Sequence, residues 1–89
     1  MTERRHESLF PGFKEMAERR RSLAAELVAA RLDLGLSQTE VAARMGTSQS
    51  AVARLESGDA DVRLSTLERY AAALGRQLDF SLMSKRGKR

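Results

Sequence analysis

The sequence predicts an all-α fold, a bundle of four to five helices. Three observations favour it. Apolar residues recur at helical spacing, serine–glutamate pairs of the S-x-x-E form mark helix starts, and glycines stand where helical stretches end. With 89 residues, the chain is long enough for one small domain, whose core must be compact or completed by a second copy.

The first predicted helix covers residues 12–34 and follows a loose N-terminal arm, residues 1–11, that has no apolar period. Apolar residues recur on one face of this stretch, and Pro11 has the fixed backbone angle that suits a helix start. The run Arg19–Arg21 places Arg20 inside that apolar face, so the helix could bend or break there.

The apolar residues around the start of this helix allow two interpretations, and the sequence does not separate them. In the first, Phe10, Phe13 and Met16 pack on the core of the same chain. In the second, these residues and Leu9 form a docking surface for a partner protein.

A second helix is predicted over residues 37–45. Ser37 and Glu40 form a capping box, in which each side chain satisfies a free backbone amide at the helix start. Apolar side chains then follow at helical spacing. Gly46 can end the helix because glycine adopts the left-handed conformation at little cost.

A third helix is predicted over residues 48–57, capped by Ser48 or by Thr47 before it and ended by Gly58. Its outward face carries small polar residues and one arginine but no acid. Two short helices joined by a tight turn, the second with such a face, are typical of a helix-turn-helix that places its second helix in the major groove of DNA. The outward residues are Gln49, Ser50, Ala53, Arg54 and Ser57.

Two opposite charges are predicted to face the core. Glu56 lies on the inward face of the third helix, where an unpaired carboxylate would be costly. Arg31 lies within the apolar stripe of the first helix. We therefore expect a buried Arg31–Glu56 ion pair; the alternative is that the two side chains extend separately to solvent.

A fourth helix is predicted over residues 65–74, with Ser65 and Glu68 as its capping box and Gly75 at its end. These helices together define a DNA-binding domain over residues 12–75.

The segment after this domain, residues 76–84, alternates apolar and polar residues like a strand, with Leu78, Phe80 and Leu82 on one side. An isolated strand has no hydrogen-bond partner in an all-helical chain. We therefore expect it to pair, antiparallel, with the same strand of a second copy across a two-fold axis. The alternative is an apolar tail packed without a ladder.

The composition excludes several classes of function. Without cysteine there is neither a disulfide nor a thiolate metal site. The one histidine, His6, has no second ligand or base near it, so we expect no enzyme, no metal and no cofactor. No apolar run reaches the length of a signal or membrane-spanning segment, so we expect a cytoplasmic protein without a membrane partner.

The net charge of +4 arises from the four basic residues of the tail, residues 85–89, since the remaining 12 basic and 12 acidic residues cancel. Any specific affinity for DNA must therefore come from local placement of charge, to which the tail could add a salt-dependent attraction.

The stretch Arg31 to Gly58, R-x-x-x-G-L-S-Q-x-x-x-A-x-x-x-G-x-S-x-x-x-V-x-x-L-E-x-G, resembles the lambda-repressor-like, or Xre, helix-turn-helix family. The likeness continues through the Leu67–Gly75 helix and implies a sequence-specific, double-stranded DNA-binding repressor with a buried pair at Arg31 and Glu56. It places Gln38 against a phosphate. The other positions that it implies at the DNA are the base-reading Gln49, Ser50 and Arg54 and the methyl groups of Ala51 and Ala53. Apart from the resemblance, we expect further contacts with DNA from the helix start at Thr47 and Ser48, from the outward-facing Ser57, and from Arg63 on the backbone.

The helix-then-strand ending, LSTLERYAAALGRQLDFSL, is similar to that of the HigA- and HipB-type antitoxins of this family. The resemblance implies a homodimer that represses its own operon at an inverted-repeat operator and binds a toxin, either RelE-like or HipA-like. Two alternatives stay open. One is a stand-alone Xre-family regulator without a toxin, and the other is an interaction protein whose helix-turn-helix no longer binds DNA.

Overall fold

The computed structural model describes residues 12–79 and 81–82 of the chain. These residues form four α-helices and no strand, so the all-α prediction is confirmed over this range: α1 (Phe13–Asp33), α2 (Gln38–Met45), α3 (Gln49–Ser57) and α4 (Leu64–Ala73). The predictions made for the arm, for Leu9, Phe10 and Phe80, for the tail and for the side chain of Phe13 lie outside the described residues.

The first helix, α1, runs without interruption past Arg19–Arg21, where the sequence allowed a bend or break. Arginine is a good helix former, and its long stem can lie along apolar surface. Arg20 is half-buried within the apolar face, and its Nε is buried without a hydrogen-bond partner among the described residues. Met16 is 54% exposed, so most of its surface is not packed on the core that the described residues form.

The capping of α2 and α3 fixes where each helix begins. The Glu40 amide donates to Ser37 Oγ at 3.0 Å and the Ser37 amide donates to Glu40 Oε1 at 2.7 Å, which confirms the predicted capping box. At the next helix, Ser48 rather than Thr47 is the cap, since Ser48 Oγ accepts from the Ala51 amide at 3.1 Å.

The end of α3 lies directly against the backbone of α1. Gly58 is buried and has a φ of 74°, in the left-handed region. A Cβ at this position would stand 2.9 Å from Arg21 Cα, closer than packed atoms allow, and 3.3 Å from Ala24 Cβ, a tight contact. Glycine is therefore needed here for its conformation and for the absence of a side chain.

The start of α4 differs from the prediction. The helix begins at Leu64 after Arg63, which makes no side-chain capping bond, so the proposed Ser65–Glu68 capping box is wrong. The Arg63 carbonyl instead accepts from the amides of Thr66 and Leu67. Leu64 and Ser65 are exposed, so water can satisfy the free amides of this helix start without a side-chain cap.

The core lies where the four helices meet. Helix α3 packs on both α1 and α2, and α4 packs on α2. Tyr70, Val41 and Val52 are completely buried at the centre. The buried residues of this cluster are Leu27, Val41, Ala42, Met45, Val52, Leu55, Tyr70, Ala71 and Leu74.

Beyond α4 the chain turns at Gly75, and residues 76–79 and 81–82 have no regular secondary structure in the single chain. Leu78 is half-buried against the core, whereas Leu82 is fully exposed. Pairing of this segment with a second copy stays a prediction. None of the four described helices is both long and apolar enough to cross a bilayer.

Candidate nucleic-acid interface

The packing of the inward side of α3 determines which of its residues face solvent. Val52 and Leu55 are buried between α1 and α2, so the opposite side of the helix turns to solvent. Arg54 is exposed near the end of this helix, whereas Ala53 is half-buried. The other exposed residues of the predicted DNA-reading set on α3 are Gln49, Ser50, Ala51 and Ser57.

The N-terminal end of α3 is polar and free of acidic side chains. Thr47 and Ser48 are exposed in the turn before the helix, and Ser48 Oγ lies 3.2 Å from Ser50 Oγ. The first turn of α3 contains no acidic residue. Its free amides and helix dipole therefore present partial positive charge at the surface.

The glutamine at the start of α2 connects the exposed face to the interior. Gln49 Nε2 donates to Gln38 Oε1 at 2.6 Å, and Gln38 Nε2 donates to Glu56 Oε1 at 2.9 Å. Gln38 was predicted to meet a phosphate. Its side chain lies between a candidate base-reading residue and a largely buried carboxylate, a position that the sequence did not indicate.

The predicted ion pair is present, with Arg31 and Glu56 side chains that are only 10% and 7% exposed. Arg31 Nε donates to Glu56 Oε2 at 2.7 Å and Arg31 Nη2 donates to Glu56 Oε1 at 3.1 Å, a bidentate arrangement. The third nitrogen, Arg31 Nη1, donates to the Leu36 carbonyl at 2.8 Å. Tyr70 OH adds a further hydrogen bond to Glu56 Oε2. The carboxylate therefore joins side chains from all four helices.

The surroundings of Glu56 keep it ionised. Burial by itself disfavours the charged carboxylate, but hydrogen bonds from Arg31, Tyr70 and Gln38 outweigh burial and hold the pKa of Glu56 below its ordinary value. The hydrogen bond to Glu56 raises the pKa of Arg31. Burial, followed by the hydrogen bond to Glu56, raises the pKa of Tyr70. The charged pair and the neutral phenol are therefore the stable forms at neutral pH.

A surface groove of about 360 Å³ separates the end of α3 from the start of α4. Arg54 and Arg63 both line it, together with Thr66 and Asp61. Both arginines are exposed, so they can meet an anion here at little desolvation cost. The acidic side chain reduces the positive potential at the same place.

The hydroxyl of Ser57 is engaged within the chain. It donates to the Arg54 carbonyl at 2.7 Å and accepts from the Asp59 amide at 3.2 Å, so it closes the end of α3. Among the predicted DNA-binding residues, Ser57 thus has a structural role that the sequence did not indicate.

Sequence reasoning also missed Tyr70 as a partner of Glu56. A tyrosine on a buried helical face needs a hydrogen-bond partner for its hydroxyl, and this requirement was the one signal for its role that the sequence contained.

Comparisons with known proteins agree with this geometry. A family model described as Helix-turn-helix matches residues 27–81. Antitoxin HigA1, in two strains of Mycobacterium tuberculosis, is 48% identical over 69 residues, which cover 78% of this chain and 46% of that protein. An uncharacterized HTH-type transcriptional regulator of Haemophilus influenzae is 37% identical over 57 residues, 64% of this chain and 58% of that protein.

The chain therefore spans about half the length of the curated relatives it matches. The names of these relatives describe an antitoxin and a transcriptional regulator, and neither describes an enzyme. No solved structure matches the chain.

Proposed function

The chain belongs to the helix-turn-helix family, and from that premise we propose that it is a sequence-specific repressor that binds double-stranded DNA. The observation that carries the proposal is the exposed, acid-free face of α3, from Gln49 to Arg54, on a helix whose other side is buried. A short helix presented in this way fits the major groove, where each base pair has its own pattern of donors and acceptors.

In this proposal Gln49, Ser50 and Arg54 read base edges, and Ala51 and Ala53 offer methyl contacts. The starts of α2 and α3, at Gln38 and near Thr47 and Ser48, present amides to phosphates. The side-chain amide of Gln38 has a second N–H besides the one it donates to Glu56, and a phosphate can accept it. Arg63 meets the backbone from the groove next to α3.

The protein acts as a homodimer in this proposal, paired through residues 76–84. Leu82 is fully exposed and Leu78 only half-buried. An antiparallel ladder with a second copy would cover this apolar side and satisfy its backbone groups. Two-fold symmetry then requires an inverted-repeat operator with half-sites about one helical turn, roughly 10 bp, apart.

We propose further that the protein is the antitoxin of a toxin–antitoxin pair and represses its own operon. Support comes from the relative named antitoxin HigA1. The toxin would be RelE-like or HipA-like. The relative named as a transcriptional regulator supports the second candidate, a stand-alone regulator without a toxin.

The deciding experiment is a gel shift with DNA from immediately upstream of the gene, in the presence of competitor DNA and at two salt concentrations. A discrete, competitor-resistant shift with two chains per site supports the operator-binding dimer. Arg54→Ala is the test variant on the outward face of α3. Glu26→Gln, at an exposed position of α1, is its control.

If unrelated competitor DNA abolishes the shift, the proposal of sequence-specific DNA binding is wrong. If the protein then binds the product of the neighbouring gene but not DNA, it is an interaction protein. Repulsion between phosphates and the exposed Asp59 and Asp61 beside α3 would explain the loss of DNA binding. Specific DNA binding without capture of the neighbouring gene product would favour the stand-alone regulator.

A further inference from the structure

Two hydrogen bonds connect Glu56 to Gln49 through Gln38, and the chemistry of the groups fixes which atom donates in each. An ionised carboxylate can only accept hydrogen bonds, so Gln38 must turn its NH₂ group toward Glu56, as the 2.9 Å contact has it. The oxygen of the same amide then faces Gln49, and it can only accept. Gln49 must therefore turn its own NH₂ group inward, where it donates at 2.6 Å.

These two bonds allow only one orientation of the Gln49 side-chain amide at the surface. Its Oε1 and its second N–H are not used by the contact with Gln38. A glutamine without such a contact could present its amide in either of two orientations. The orientation matters for base reading because adenine offers a donor at N6 and an acceptor at N7 side by side, in a fixed order.

We infer that Glu56, which is largely buried and does not itself reach the DNA, is a positioning residue for base recognition, and that it acts through Gln38 to fix the orientation of the Gln49 amide. The inference rests on the proposed function, since it requires that Gln49 reads a base. The base edge selected is one that presents a donor beside an acceptor, as adenine does.

The carboxylate has no freedom to reverse this direction. Its four acceptor positions are all in use: two bonds come from Arg31, one from Tyr70 and one from Gln38. Glu56 is therefore held by three helices besides its own, and the direction of its bond to Gln38 is set by the packed interior.

The test is selection from a randomised duplex DNA library, which yields the preference at every base pair even though the operator sequence is not known. The unaltered protein and Gln49→Ala identify the base pair that Gln49 reads. Gln38→Leu then breaks the connection at its middle. A triple variant removes the charges together with the phenol that would lose its partner, and it keeps apolar volume in the core: Arg31→Met, Glu56→Leu and Tyr70→Phe.

One well-placed bidentate contact discriminates against a wrong base by about 5- to 150-fold. At the base pair read by Gln49, Gln38→Leu and the triple variant should each lower this preference to a value between that of the unaltered protein and that of Gln49→Ala, because a glutamine amide without the contact still adopts the reading orientation part of the time. A triple variant that keeps the full preference overturns the role of Glu56. Leu74→Ala controls for lost stability, since Leu74 is buried outside this hydrogen-bond network, and it should leave the preference unchanged.

A second comparison separates positioning from an independent phosphate contact by Gln38. In a Gln49→Ala background, Gln38→Leu should leave the base preference unchanged, because nothing remains to be positioned. If it lowers affinity equally for all sequences in both backgrounds and never alters the preference, the inference is wrong while the proposed function stands. If the unaltered protein enriches no sequence, the proposed function is wrong, and the inference fails with it.

Discussion

Removal of the Glu56 carboxylate should strongly destabilise this fold. Glu56→Ala deletes the acceptor of four hydrogen bonds. Arg31 keeps its charge in a side chain that is 10% exposed, with only the Leu36 carbonyl left as a partner. The hydroxyl of the fully buried Tyr70 loses its acceptor.

The expected loss is about 3–5 kcal/mol, the usual cost of leaving one charge of a buried pair without its partner. A native domain is stable by only ~5–15 kcal/mol, so this loss is a large fraction of the total stability. The triple variant Arg31→Met, Glu56→Leu, Tyr70→Phe removes the whole polar cluster. It should cost much less, because no buried charge stays unpaired.

The measurement is urea unfolding followed by far-UV circular dichroism, with the free energy of unfolding extrapolated to water and the slope compared between variants. The single variant should be less stable than the triple variant. Two results would refute the reasoning. One is a loss below about 1 kcal/mol for Glu56→Ala, which is typical of an exposed pair, and the other is a triple variant no more stable than the single one.

Three further predictions follow from local features. The pKa of Glu56 is lowered from 4.5 in the folded state, so the contribution of Glu56 is complete above about that pH and is lost as the pH falls through the folded-state pKa. Urea unfolding across acidic pH should detect this loss, and Glu56→Gln should abolish that part of the dependence. Gly58→Ala should lower the free energy of unfolding more than Gly46→Ala. Both have a φ of 74°, which costs about 1–2 kcal/mol for alanine, but only Gly58 would bring its Cβ onto the α1 backbone; equal losses would contradict this. Arg54→Ala should weaken operator binding by about 1–3 kcal/mol and relax the preference at one base pair, whereas a uniform loss across sequences would place Arg54 on a phosphate.

Local signals were sufficient for most of the helical framework. The Ser37–Glu40 capping box and the left-handed Gly46 are short-range features whose chemistry does not depend on the rest of the fold. The Arg31–Glu56 pair could also be inferred, because two opposite charges each lay on the inward face of a helix, where neither is stable alone.

The other contacts made by Glu56 between helices could not be predicted from the sequence. A helical wheel gives the face on which Gln38 or Tyr70 lies but not its distance from another helix, so their bonds to Glu56 were missed. The capping box at Ser65 was also wrong, since α4 begins one residue before it, at Leu64. Pairing of residues 76–84 with a second copy stays a prediction, because the alternation of apolar and polar residues cannot position another chain.

The meeting of four helices at one carboxylate makes the assembly of this bundle cooperative. A partly docked arrangement that brought α1 against α3 without α4 would leave Glu56 short of the Tyr70 hydroxyl, and one without α2 would leave it short of Gln38. In each such arrangement the Glu56 carboxylate loses water before all its hydrogen-bond donors are in place. The free-energy cost of this loss offsets the gain from buried apolar area. Intermediates with only part of the bundle docked are therefore disfavoured, and the population divides between chains that are fully assembled and chains that are open.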